Sequence, residues 1–213
     1  FHALVHDLPG NQLHDTLEGF HVTPRYLERY QEVLANSGLP PCPEREACQQ
    51  FVQQRLNLVP VLENARKAGR LQLRPIHGDP KVNNVMLCQT SGRAVALVDL
   101  DTVKPGLPHY DIGDCLRSAC NPAGEESTDL GAVHFNLELA EALLRGYLAE
   151  AGSCLSSADL AHLYDAIRLL PFELGLRFFT DHLAGNVYFK ASHCRQNLDR
   201  ARVQFRLTES IEA

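Results

Sequence analysis

The sequence is notable first for what it lacks. No apolar run in its 213 residues approaches membrane-spanning length, so no helical membrane anchor is expected within it. There is no basic surplus: 20 Lys and Arg against 26 Asp and Glu give a formal charge of −6, which argues against a nucleic-acid partner, because phosphate backbones call for a basic surface. The seven cysteines (Cys42, Cys48, Cys88, Cys115, Cys120, Cys154 and Cys194) form no C-x-x-C pair, and no His-rich ligand spacing accompanies them. Zinc is therefore not expected, and the odd number reads as reduced thiols in a cytoplasmic setting. His2, His6 and Asp7 interrupt any signal-peptide pattern at the start of the sequence. Three phosphate-binding signatures are missing as well: G-x-G-x-x-G, a Walker-A run, and a V-A-x-K strand. What remains, at 45% hydrophobic and 22% charged residues, is an ordinary globular composition with enough chain for one well-cored domain or one large lobe.

Periodicity orders the chain as helices, a small β patch, then more helices. A short helix and a loop containing Pro9-Gly10 are expected over Phe1 to Phe20. Thr23-Pro24 reads as an N-cap followed by a first-turn proline, opening a helix that ends near Ser37-Gly38. Glu44 to Lys67 predicts one helix kinked by Pro60 and ended by Gly69. Short apolar runs at Leu73–Ile76, Asn84–Cys88 and Ala94–Leu100 predict strands, with residues 89–93 as a hairpin connection. After Pro105-Gly106 helices return: His134 to Ala151, a second capped by Ser156 or Ser157 and running towards His182 with Pro171 bending or dividing it, and a third over Val187 to Leu207.

The chemically informative stretch is His77-Gly78-Asp79-Pro80-Lys81-Val82-Asn83-Asn84, followed by Val98-Asp99-Leu100-Asp101. Alone, Gly-Asp-Pro is turn chemistry and Asn83-Asn84 is loop filler. Together they supply what phosphoryl transfer to a hydroxyl requires. Asp79 is a carboxylate to orient the acceptor and take its proton, and Asn84 and Asp99 are oxygen ligands for magnesium. Asp101 is either a second acidic group near the metals or acceptor, or a cap on the Thr102-Val103 turn. Asp111 reads as an acidic residue at a helix start, and Asp114 with Arg117 as an i, i+3 pair or as groups facing the acceptor. Arg177 and Asp181 stand at i, i+4, where a solvated salt bridge is the default, yet the surrounding apolar residues call for another reason. His182, Asn186 and Tyr188 are further candidates, with a core position the commoner reading for Tyr188. Lys104 reads as a surface lysine or a phosphate contact.

H-x-D-x-x-x-x-N followed by an apolar-Asp doublet resembles the catalytic loop and metal Asp of the protein-kinase-like superfamily. The His-Gly-Asp start resembles aminoglycoside, choline and related phosphotransferases. The strings from Val98 to Arg117 and from Glu173 to Lys190, together with Phe20-His21, resemble the N-acetylhexosamine 1-kinase type. The resemblance spans nearly the whole chain but only the C-terminal lobe of such an enzyme. It implies an α+β, mostly helical fold with a β-hairpin patch: residues 1–70 a helical segment, 71–104 the catalytic loop and metal-binding hairpin, 105–213 a helical acceptor-binding subdomain, with the N-terminal nucleotide lobe absent from the sequence. It implies ATP and Mg2+ as cofactors, Asp79 as base with Lys81 beside it, and Asn84 and Asp99 as metal ligands. It further implies His77 and Asp111 as supports of the loop, and Asp101, Asp114, Arg177 and Asp181 towards a sugar. The acceptor implied is the anomeric hydroxyl of an N-acetylhexosamine. Another alcohol (choline, homoserine, an aminoglycoside) or a non-catalytic binding role is the alternative. An exposed apolar face where a nucleotide lobe would dock, and self-association through it, are expected.

Overall fold

The computed structural model describes residues 1–8 and 13–213, so the Pro9-Gly10 break lies outside the described residues. The structure is mostly helical with two small antiparallel sheets, the α+β class read from the sequence. A short α1 (His2–Val5) precedes α2 (Thr23–Asn36). Pro24 sits in the first turn as expected, but Thr23 does not cap it; its hydroxyl reaches Glu173 instead. The single helix expected over Glu44 to Lys67 is two, α3 (Pro43–Gln54) and α4 (Val61–Lys67). The reason is local. Arg55 and Leu58 close tight turns onto Val52 and Arg55, and Pro60, which has no N–H to give, becomes the N-cap of α4.

β1 (Arg74–Ile76) pairs with β4 (Lys104–Gly106), a strand that sequence patterning missed because Pro105-Gly106 reads as a break. Pro105 is tolerated because this is a two-stranded, all-edge ribbon. Between them β2 (Val85–Leu87) and β3 (Ala94–Leu97) form the expected hairpin, with Gly92 at positive φ in its turn. Both strands are shorter than anticipated, since Asn84 belongs to a 3-10 turn and Asp99 is left-handed (φ 68°).

Next come α5 (Pro108–Ala119), α6 (Leu137–Ala151, capped by Asn136), α7 (Ser157–Ala161), α8 (Leu163–Leu183) and α9 (Gln196–Glu212). Ser156 and Asp159 form a capping box at α7. The break before α8 falls at His162; α8 runs unbroken through Pro171. α9 begins later than the expected Val187, because Asp181 gathers residues 187–189 into a loop. α8 is buried nearly all round, as a helix apolar on every face must be. It packs against α2, α5 and α9, with Phe51 stacked on Phe205 at 4.5 Å in the same core. Two glycines set the spacing. A Cβ on Gly113 of α5 would meet the Ala166 carbonyl at 2.8 Å, and one on Gly175 of α8 would meet the Phe205 ring at 2.6 Å.

Candidate active site

The loop from His77 to Asn84 leaves β1 and is held by its own neighbours. Both carboxylate oxygens of Asp111, in the first turn of α5, accept backbone N–H bonds from the loop: His77 at 2.7 Å and Gly78 at 2.8 Å. His2 adds a third contact at 2.8 Å. The His77 ring is wholly buried and used on both sides. Its Nδ1 accepts the Asp79 N–H at 3.3 Å, and its Nε2 donates to the Val98 carbonyl at 3.1 Å. An imidazole committed in this way orients the loop and has no lone pair left for a substrate proton.

Asp79 stands free of the core, its side chain 26% exposed, with the Lys81 ammonium ion-paired to it. The buried Asn84 donates its amide N–H to the Asp79 carbonyl at 2.7 Å and to the Asp79 carboxylate at 3.2 Å, and its Oδ1 has no donor among the described residues. The Val98 N–H bonds the Asn84 carbonyl at 2.9 Å, continuing the β2–β3 ladder by one step. This brings Asp99 to the same end of the hairpin as Asn84. Asp99 is exposed and without a hydrogen-bond partner among the described residues. Among the described residues no group of three or more His, Cys, Asp or Glu side chains gathers there. One amide oxygen and one carboxylate nevertheless suit Mg2+, which commonly takes one or two carboxylates and fills its shell with phosphate oxygens and water. Asp101 lies one turn on, exposed, and makes no cap hydrogen bond.

Asp114 and Arg117 form a buried i, i+3 pair at 2.8 Å, and Arg117 reaches on to Glu125 at 3.3 Å. Burial alone would raise the Asp114 pKa; the charge of Arg117, then that of His21, outweighs it and holds the carboxyl below its usual range. Asp114 Oδ2 is buried without a hydrogen-bond partner among the described residues.

The Arg177–Asp181 salt bridge is not formed. Asp181 instead accepts from the N–H groups of Val187, Tyr188 and Phe189 at 2.8–3.0 Å and from Asn197 at 2.9 Å, so its carboxylate shapes a loop and has little capacity left for an acceptor. Arg177 makes no ion pair or hydrogen bond among the described residues. Its guanidinium lies over Phe20, Tyr26 and Phe189 at 4.8–5.5 Å, in the wall of a cavity of about 340 Å³. Tyr188 lines the same cavity and is 74% exposed, not in the core. Asn186 and His182 both turn to the Cys194 carbonyl. Lys104 is buried, correcting the surface reading: it pairs with Asp15 at 2.7 Å and with the Leu17 carbonyl at 2.7 Å.

Two residues that entered the sequence reading only as parts of resembling strings, with no role in the site, brace the loop. His21 and Glu173, 152 positions apart, are bonded at 2.8 Å, and His21 also bonds the Gly78 carbonyl at 2.9 Å. The signals were a histidine beside an aromatic residue in a loop and a glutamate inside an apolar helix; neither alone points to the other. Residues 1–168 match the family model described as the phosphotransferase enzyme family (APH), a span that holds the whole His77–Asp101 segment and Asp111 but ends before Arg177. Covering more than half of the sequence, that match places this chain in the APH phosphotransferase enzyme family.

Proposed function

We propose that the chain carries the acid–base and metal-binding half of an ATP- and Mg2+-dependent kinase that phosphorylates a sugar hydroxyl, with the anomeric position of an N-acetylhexosamine as acceptor. The observation that carries the reading is Asp79 on a braced loop, with Asn84 and Asp99 brought to one end of the adjoining hairpin. Asp79 orients the acceptor hydroxyl and takes its proton as the bond to phosphorus forms. Lys81, ion-paired with Asp79 in the present arrangement, turns towards the transferring phosphoryl group and leaves the carboxylate free to act. When bound, Mg2+ would supply positive charge against the negative charge developing on the transferring phosphoryl group. Asn84 Oδ1 and Asp99 would hold it.

The aromatic cavity favours a sugar over an aminoglycoside. Phe20, Tyr26, Tyr188 and Phe189 offer flat apolar faces, and Arg177 offers free donors suited to an amide or hydroxyl oxygen. A polycation would want carboxylates, whereas Asp181 is already saturated and Arg177 would repel it. The cavity and the catalytic loop are adjacent in the chain path, because Phe20 lines one and His21 holds the other. The hairpin, with Met86, Leu87 and Val95 each more than half exposed, fits the docking of a nucleotide-binding lobe.

The test is substrate-dependent ADP release from the intact gene product over a panel of N-acetylhexosamines, neutral hexoses, choline, homoserine and aminoglycosides. Turnover of N-acetylhexosamines alone supports the reading. Turnover of the amines without the sugars overturns it.

A further inference from the structure

The residue preceding Asp79 is gripped on both of its backbone groups. The Gly78 N–H donates to Asp111 Oδ1 at 2.8 Å, and the Gly78 carbonyl meets His21 Nε2 at 2.9 Å. The other ring nitrogen of His21 lies 2.8 Å from Glu173 Oε1, whose second oxygen accepts the Thr23 hydroxyl at 2.6 Å. A peptide carbonyl and a carboxylate are both acceptors, and a neutral imidazole has only one N–H. Both bonds can be made together only by an imidazolium, or by a neutral ring facing a protonated Glu173.

The surroundings decide between these. His21 is buried, and its ring stacks on Tyr110 of α5 with centroids 5.4 Å apart. Tyr26 of α2 takes the His21 backbone N–H at 3.4 Å. The charged groups facing the ring are Glu173 and Arg177 from α8 and Asp114 from α5. Burial works against a charge on His21, and Arg177 does too. The attraction and hydrogen bond of Glu173, with the added field of Asp114, outweigh both and hold the pKa above the ordinary histidine value. The residue also accepts a left-handed backbone (φ 62°), which a side chain so firmly bound can hold in place.

We propose that His21 acts as an imidazolium that positions the catalytic loop, fixing the Gly78–Asp79 peptide between a cation and the Asp111 carboxylate. This rests on the reading of Asp79 as the base. His21 touches neither acceptor nor nucleotide; it acts through Gly78. Removing its charge frees the carbonyl, lets the peptide rotate and misplaces the Asp79 carboxylate, so the effect falls on turnover and not on substrate binding. An ångström of misplacement costs roughly 100-fold in rate.

The experiment has two parts on the intact gene product. The first follows the His21 ring nitrogens by 15N NMR from pH 6 to 9, assigned by comparison with His21→Gln. Both nitrogens still protonated at pH 7, where an ordinary histidine is mostly neutral, is the expected result. A single ring proton at pH 7 overturns the proposal. The second measures kcat and KM against pH with N-acetylglucosamine and Mg-ATP for the wild type, His21→Gln, Glu173→Gln and Asp79→Asn. The expected result is a loss in kcat of roughly 10- to 100-fold in both clamp variants with KM within about twofold, and disappearance of an alkaline limb present in the wild type. An unchanged kcat in either folded variant overturns the proposal. If Asp79→Asn stays active while His21 is doubly protonated, the base assignment fails and the clamp stands. If Asp79→Asn is dead and His21 is neutral, the reverse holds.

Discussion

Thr102 closes over Gly78. Its hydroxyl donates to the His77 carbonyl at 2.7 Å, and its own carbonyl oxygen stands 2.6 Å from where a Cβ on Gly78 would lie. Gly78 has φ +87°, so both the backbone angle and the space demand glycine. Gly78→Ala should therefore lose about 1–3 kcal/mol of stability, together with much of the activity, because the next residue is Asp79. Urea unfolding followed by circular dichroism checks the first; an alanine variant as stable as the wild type would show that the loop is not braced here.

Asp111→Ala strips the partners from two buried backbone N–H groups, those of His77 and Gly78. Each buried unsatisfied donor costs about 1–3 kcal/mol, so this change should rank among the most damaging single substitutions outside the apolar core. Asp111→Asn keeps one acceptor and should recover part of the loss. Thermal unfolding of the two variants side by side tests the order; equal damage from both would mean that the charge, not the acceptor pair, matters.

Asp79→Asn preserves size and the bond from Asn84 but removes the proton acceptor. The expected change is a fall in kcat of roughly 10²–10⁴-fold with little effect on melting temperature. An activity loss under tenfold would remove Asp79 from the role of general base.

Arg177→Met removes a guanidinium that has no carboxylate partner among the described residues, so the fold loses its stacking on Phe20, Tyr26 and Phe189 and its field on His21 and Asp114. Stability should drop by no more than about 2 kcal/mol. The KM for the acceptor should rise roughly tenfold or more, consistent with the loss of a charged hydrogen bond of about 1.5–3 kcal/mol. Steady-state kinetics with acceptor and ATP varied separately distinguishes this from a change in nucleotide handling.

The buried Asp114–Arg117 pair gives a pH dependence of known sign. Because the Asp114 pKa is depressed on folding, its contribution is fully present above the unfolded value of about 3.9 and is lost as pH falls through the lower folded value. Unfolding free energies from pH 7 to 2.5 should fall more steeply for the wild type than for Asp114→Asn in that acidic window. Parallel curves would show that Asp114 titrates alike in both states.

The linear motif was legible because its chemistry is local: Asp79, Lys81 and Asn84 lie within six residues, and Asp99 follows across one hairpin. Helices with a proline in the first turn, such as α2, were legible for the same reason. The division of α3 from α4 was missed because the periodicity of apolar residues continues across Pro60 while the backbone does not. For Arg177 and Asp181 helical spacing made a salt bridge the default while the apolar surroundings called for another reason, and the folded chain offers Asp181 four N–H donors in place of the guanidinium. The His21–Glu173 bond spans 152 residues and had no sequence signal strong enough to join its two ends.

The glycine contacts on either side of α8 have a consequence for specificity. Gly113 lets α5 approach until only an Ala166 carbonyl separates them, and Gly175 does the same for α9 through the Phe205 ring. With no slack on either flank, α8 cannot slide or roll, and the distance from Asp111 on α5 to Arg177 on α8 is set like the jaws of a calliper. On the proposed reading of the aromatic cavity as the acceptor site, an acceptor of another size is not accommodated by moving the helix. Such a change must come from the rim, at Phe20, Tyr188 or Phe189, where side chains can be exchanged without reopening the core.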